Sequence, residues 1–125
     1  MHLIDLARAE VLRKSIWRNM VDFFDRYDYF ALPVTSVAPF SINQEYPLKV
    51  NGVELDTYID WMWPCYTISV TGMPAISVPC GFTSNNLPVG IQLVGPANSD
   101  KGLLQLAHEY QEATEHWKTT PNLIE

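Results

Sequence analysis

Residues 71–82 read Thr-Gly-Met-Pro-Ala-Ile-Ser-Val-Pro-Cys-Gly-Phe, residues 83–87 read Thr-Ser-Asn-Asn-Leu, and residues 88–95 read Pro-Val-Gly-Ile-Gln-Leu-Val-Gly. Two apolar segments punctuated by Gly and Pro are thus joined by a short polar turn, which predicts strands over 75–82 and 88–94. In the second strand Val89, Ile91 and Leu93 share one face, and Gly90, Gln92 and Val94 share the other. Pro79 has no N–H to give to a ladder, so the first strand lies at an edge or is bulged there. Gly95-Pro96 ends the sheet.

Upstream, Ala9, Leu12, Ile16, Met20, Phe23 and Tyr27 recur at steps of three and four, which predicts one helix over 3–27. Arg8, Arg13, Lys14, Arg18, Asp22 and Asp25 fall mostly off that stripe. A short aromatic and apolar run predicts a buried strand over 29–34 that stops at Pro33 and a loop. Periodicity is then lost over 35–56, where Pro39, Pro47, Asn51 and Gly52 mark turns. Loops of this length are uncommon unless they line a site or belong to something larger. Residues 55–68 read as helical in part, interrupted at Pro64. Downstream, Asn98 or Ser99 is placed to cap a final helix over 99–117, with Asp100 in its first turn. Leu103, Ala107, Tyr110, Thr114 and Trp117 form its inward stripe, and Pro121 ends the pattern.

Lys and Arg number 8 against 14 Asp and Glu, for a formal net charge of −6. That sign disfavours phosphate backbones and anionic membranes, so no nucleic acid and no membrane are expected as partners. Hydrophobic residues make up 47% of the 125, enough for one core and one domain. Cys65 and Cys80 sit among apolar neighbours and do not make a disulfide framework, which points to a reducing, cytoplasmic setting. Neither a secretory leader nor an 18-residue apolar run is apparent in the sequence.

Three segments identify a family. Tyr27-Asp28 leading into Leu32-Pro33-Val34-Thr35 is similar to a strand entered from a long helix in the amidase signature hydrolases. Gly72-Met73-Pro74-Ala75-Ile76-Ser77-Val78-Pro79 and Leu87-Pro88-Val89-Gly90-Ile91-Gln92-Leu93-Val94-Gly95 resemble the two segments that follow in the C-terminal end of that family. The order of elements resembles that end throughout, so the likeness spans nearly the whole chain. It implies an α/β fold, the C-terminal part of the amidase signature fold, with a mixed sheet flanked by helices, and residues 1–125 as a single segment of it.

The same resemblance implies hydrolysis of carboxylic amide C–N bonds, by serine acylation with loss of ammonia or an amine and then hydrolysis. Family members use a catalytic serine, a second serine in a cis peptide bond and a lysine, with the serines in a Gly/Ser-rich segment upstream. This chain has no Ser-Ser pair and no such segment; Ser15, Ser36, Ser41, Ser69, Ser77, Ser84 and Ser99 stand alone. A serine hydroxyl is inert without a positioned base and oxyanion donors. No catalytic residue is therefore assigned, and the expectation is a fragment, a truncated reading frame or a processed piece without amidase activity of its own.

In family members the segment just ahead of Gly72 lines the acyl side of the substrate pocket. By that resemblance Trp61, Trp63, Cys65 and Ile68 are the candidate substrate-lining residues; core packing is the plainer reading of the same aromatic stretch. Ser69 stands where relatives usually have asparagine, keeping a hydroxyl but not an amide. Gly90 and Gln92 read as structural, the first for close backbone approach. The implied partners are a small-molecule amide in the complete enzyme and either an upstream amidase half or a second copy of this chain. No cofactor is implied. The competing class is a non-catalytic binding or assembly module, since a sheet cut from a larger one has unpaired edges and exposed apolar area.

Other constellations are weaker. His108, Glu112 and His116 recur at steps of four, as zinc ligands can, but lie off the apolar stripe and read as a solvated face; no metal is expected. Cys65 or Cys80 could act as a nucleophile with His108 only if the fold brought them together, and inert cysteine is the simpler reading. Asp56 and Asp60, four apart, read as exposed carboxylates near a loop.

Overall fold

The computed structural model describes residues 2–120. Helix α1 spans Leu3–Phe24. Its first turn is closed by the Asp5 carboxylate, which accepts the His2 N–H at 3.0 Å, at the end of the helix where the dipole favours negative charge. The helix stops at Phe24 and not at Tyr27, the bound expected from the stripe. The amides of Arg26 and Tyr27 both return to the Phe23 carbonyl, a tightened final turn. The Tyr27 ring stacks on Phe23 with centroids 4.6 Å apart, so the apolar periodicity outlasts the helix.

The strands are β1 (Phe30–Pro33), β2 (Lys49–Val50), β3 (Val53–Glu54), β4 (Ala75–Phe82) and β5 (Pro88–Val94). Helix α2 (Trp63–Thr71) precedes β4, and α3 (Asp100–Thr114) follows β5. β5 is the centre of a three-stranded sheet in the order β1-β5-β4, and both of its pairings are antiparallel. Helix α3 covers one face through a buried cluster of Val78, Leu93, Leu103 and Ala107. Helix α2 and the end of α1 cover the other, where Ile68, Met73 and Val94 are buried against Met20, Val21 and Phe24. A central strand covered on both faces has little use for polar residues, and in β5 only Gln92 interrupts the apolar run.

Pro79 proves to be both at an edge and at a bulge. β4 is an outer strand of the sheet, and its register with β5 shifts between Pro79 and Gly81. Pro64 does not break a helix; it lies in the first turn of α2, where its missing N–H costs nothing. Gly72 closes that helix with φ 71°, in the left-handed region that suits glycine.

Three further sequence expectations need correction. The stretch 35–56 is not entirely loop: β2 and β3 form a small antiparallel hairpin around Asn51 and Gly52, whose φ values are 49° and 80°. Positive φ at both central residues is the tight hairpin geometry that Asn-Gly favours, but two-residue strands leave no periodicity to read. Helix α3 ends at Thr114 and not at residue 117, because Glu115 takes φ 53°; a separate 3-10 turn, His116–Lys118, carries Trp117 to an exposed position. Ser99 stands at the N-cap of α3, yet its hydroxyl donates to the Pro96 carbonyl at 2.7 Å and does not cap the helix. Pro121 lies outside the described residues.

The helical stripe of α1 is covered only toward its end. Met20 and Phe23 are half-buried, whereas Leu12 is 65% exposed and Ile16 is also exposed. The cause is length. A helix of 22 residues runs about 33 Å, well past the end of a seven-residue central strand.

Candidate functional site

Beyond Pro33 the chain leaves the sheet and turns across the α2 face, and a cavity of about 620 Å³ opens there. One wall is the loop over residues 33–40, where Val34, Val37 and Phe40 contribute apolar surface. Trp61 and Pro64, at the start of α2, form the second. Ser77 from β4, with Val89 and Gly90 from β5, forms the floor.

The two walls are tied to each other. The Ser36 N–H donates to the Trp61 carbonyl at 3.0 Å, and the Cys65 thiol donates to the Val34 carbonyl at 2.8 Å. Thr35 turns the loop by donating its hydroxyl to the Val37 carbonyl at 2.8 Å. Phe40 meets Trp61 edge to face, with centroids 5.5 Å apart, the arrangement that aromatic quadrupoles prefer. Glycine fits the floor closely: a Cβ on Gly90 would stand 3.1 Å from both Ser77 Oγ and Val34 Cγ2, so either side chain would have to give slightly to admit one.

Trp61 sits in the 3-10 turn Asp60–Met62 that leads into α2. Asp60 fastens that turn: its carboxylate accepts the N–H groups of Asp56 and Thr57 at 2.9 and 2.8 Å, and the Thr57 hydroxyl at 2.8 Å. The Thr57 hydroxyl and then the Thr57 amide hold the Asp60 carboxyl below the usual aspartate value, against a smaller opposing effect of desolvation and with a still smaller contribution from the Asp56 amide. A lowered folded-state value means that this contribution is present above the unfolded value and is lost as pH falls through the folded one. Asp60→Asn is therefore expected to lower the urea midpoint at a pH of about 6, and the gap from wild type should close below a pH of about 4. Urea titrations followed by tryptophan fluorescence across that range check it; a gap independent of pH would show that the charge is not what braces the turn.

The four candidates read from the sequence are placed differently from one another. Trp61 borders the cavity. Cys65 lies behind the wall, bonded to Val34. Ile68, 5% exposed, is in the core beneath α2 with Met73 and Val94. Trp63 is 57% exposed at the start of α2. The loop residues Val34, Val37 and Phe40 and the floor residue Ser77 were not singled out from sequence, although the length of the aperiodic stretch was a signal that it lines something.

Two buried polar atoms meet no partner among the described residues, Trp61 Nε1 and Gln92 Oε1. Trp61 is on the cavity wall, and Gln92 is the ladder partner of the floor residue Ser77. Elsewhere, the step-of-four set on the last helix does not hold together, because His116 falls past the end of α3 and its ring faces Phe82. Cys65 cannot serve as a nucleophile with His108, since α2 and α3 pack on opposite faces of the sheet. Cys80 lies near Tyr110, whose phenol is raised above its usual value by burial and then by that thiol. Among the described residues, no lysine lines the cavity that Ser36 and Ser77 border.

The family model described as Amidase matches residues 3–104. The glutamyl-tRNA(Gln) amidotransferase A-subunit of Symbiobacterium thermophilum is 37% identical over 120 residues, covering 94% of this chain and 23% of that protein. A bacterial aryl acylamidase belonging to the amidase signature enzymes superposes with a TM-score of 0.83 at 24% identity, over 94% of this chain and 24% of that one. The corresponding amidotransferase polypeptide of Thermotoga maritima superposes with a TM-score of 0.70 at 28% identity, over 87% of this chain and 22% of that one. The chain thus spans less than a quarter of the length of these relatives.

Proposed function

Because the chain belongs to the amidase family, we propose that the loop 33–40, Trp61 and the Ser77–Gly90 floor form the acyl-side wall of a substrate pocket in an amidase-type hydrolase. The observation behind this reading is the open cavity itself, bordered by Trp61 on one side and by a loop pinned to the Trp61 carbonyl on the other. Trp61 contacts the substrate, Cys65 holds the loop through Val34, Ile68 seats α2 on the sheet, and Trp63 extends the wall outward. The reaction is hydrolysis of a carboxylic amide, with the serine nucleophile, its cis-peptide serine and the lysine supplied by amidase sequence other than residues 1–125. The share of its relatives that this chain spans supports that division. Free cysteines support a reducing compartment such as the cytoplasm, and no helix among the described residues is long and apolar enough to cross a membrane.

Purified 125-residue protein, assayed on simple aryl and aliphatic amides, is expected to show no turnover above background, and activity is expected once an amidase portion carrying the Ser-Ser and Lys residues is added. Turnover by the chain alone would overturn the reading. A second reading, a non-catalytic assembly module, is favoured by one feature, the uncovered apolar stripe of α1. It would be supported by a defined homo-oligomer on size-exclusion chromatography that ignores the added portion.

A further inference from the structure

The chemistry of the cavity wall is narrower than the family's reaction requires. Among the described residues 14 line it and none of these is charged, and four are proline, which brings C–H surface without an N–H donor. Its backbone polar groups are partly committed internally: the Val34 and Val37 carbonyls already accept the Cys65 thiol and the Thr35 hydroxyl, and the Ser36 amide is taken by the Trp61 carbonyl. What is left for a ligand is apolar area, the perpendicular ring pair of Phe40 and Trp61, and the neutral hydroxyls of Ser36 and Ser77. The two unpaired polar atoms beside the cavity, Trp61 Nε1 and Gln92 Oε1, are one neutral donor and one neutral acceptor. The groove is open, with Ser36, Ala38, Phe40 and Ser77 of its lining exposed, so a carboxylate or ammonium held against this wall gives up part of its hydration and gains no counter-charge there. An aromatic ring would lose nothing, and the volume of about 620 Å³ is of the size that small-molecule sites have.

Resting on the acyl-pocket reading above, we propose that this wall selects neutral amides with an aromatic or branched apolar acyl group and rejects amides whose acyl group bears a charge. Three features combine in that selection: an uncharged lining, a ring pair able to accept a third ring in edge-to-face contact, and neutral hydroxyls as the only free side-chain hydrogen-bonding groups on the floor and loop.

The test is binding to the 125-residue chain, followed by amide and indole N–H chemical shifts, with phenylacetamide as the neutral probe and succinamate as the probe whose acyl group ends in a carboxylate. Phenylacetamide is expected to shift Val34, Val37, Gly90 and the Trp61 indole with an affinity at least about tenfold higher than that of succinamate. Ala38→Asp, at an exposed position on the lining, puts a charge there without touching the core, and is expected to weaken phenylacetamide by about tenfold. Gly90→Val narrows the floor and is expected to abolish the shifts. Equal or tighter binding of succinamate at the same resonances would overturn the selectivity and leave the pocket reading in place. Absence of shifts at these resonances with either probe, or shifts confined to α1, would overturn both.

Discussion

Leu103→Ala is expected to lower the stability of the chain by about 3 kcal/mol, whereas Leu12→Ala should change it by less than about 0.5 kcal/mol. Both leucines occupy apolar stripe positions on helices, and both substitutions replace one strong helix former with another. Their surroundings differ. Leu103 is 3% exposed and packs against Val78, Leu93 and Ala107, so truncation leaves a hole that the sheet cannot close. Leu12 is 65% exposed on the stretch of α1 that extends beyond the sheet, and its truncation removes little contact. Urea unfolding of the two variants beside wild type measures the difference. A cost at Leu12 that approached the cost at Leu103 would mean that the α1 stripe is covered in solution, and a midpoint that rises with protein concentration would identify the cover as a second copy.

Hydrogen exchange should show the same asymmetry along the backbone, and by a larger factor. Amides in α1 between residues 7 and 17 are expected to exchange at least about a thousandfold faster than those of Ile91 to Val94. The strand residues are held in ladders on both sides and covered on both faces. The early turns of α1 have only their own helical bonds, and a helix without tertiary support is marginal in water. The end of α1 packs through Met20, Val21 and Phe24, so protection should rise steeply from about Met20 onward. Uniform protection along α1 would contradict a helix whose first half stands free of the sheet.

How legible the fold was depended on how each element announces itself. The strands over 75–82 and 88–94 could be read because glycine, proline and a polar turn delimit them. The hairpin of β2 and β3 offered only Asn51-Gly52 as a clue, since strands of two residues contain no alternation. Helix ends were set by events that periodicity does not record, the tightened turn of Arg26 and Tyr27 onto the Phe23 carbonyl and the positive φ of Glu115. The stripe of α1 told that a helix forms, but amphipathicity is a statement about a partner surface and not about whether that surface is present. At the candidate site, Trp61 stood out as an aromatic in a dense cluster. Val34, Val37 and Ser77 did not, because small residues become a cavity lining only through a non-local meeting of β1, α2 and the β4–β5 pair.

The shifted register between Pro79 and Gly81 has a consequence for how this chain tolerates changes in length. Upstream, Ala75 through Pro79 oppose Val94 through Gly90; downstream, Gly81 and Phe82 oppose Val89 and Pro88, so Cys80 has no opposite number. Cys80 acts as a spacer that inverts parity, and each residue after it points where its neighbour would otherwise have pointed. Its removal would leave Gly81 opposite Val89 and Phe82 opposite Pro88 in a regular ladder, and would be felt as the loss of the local bend and added twist that a bulge gives the strand. What that position contributes is the bend of the strand, not the pairing of the residues that follow it.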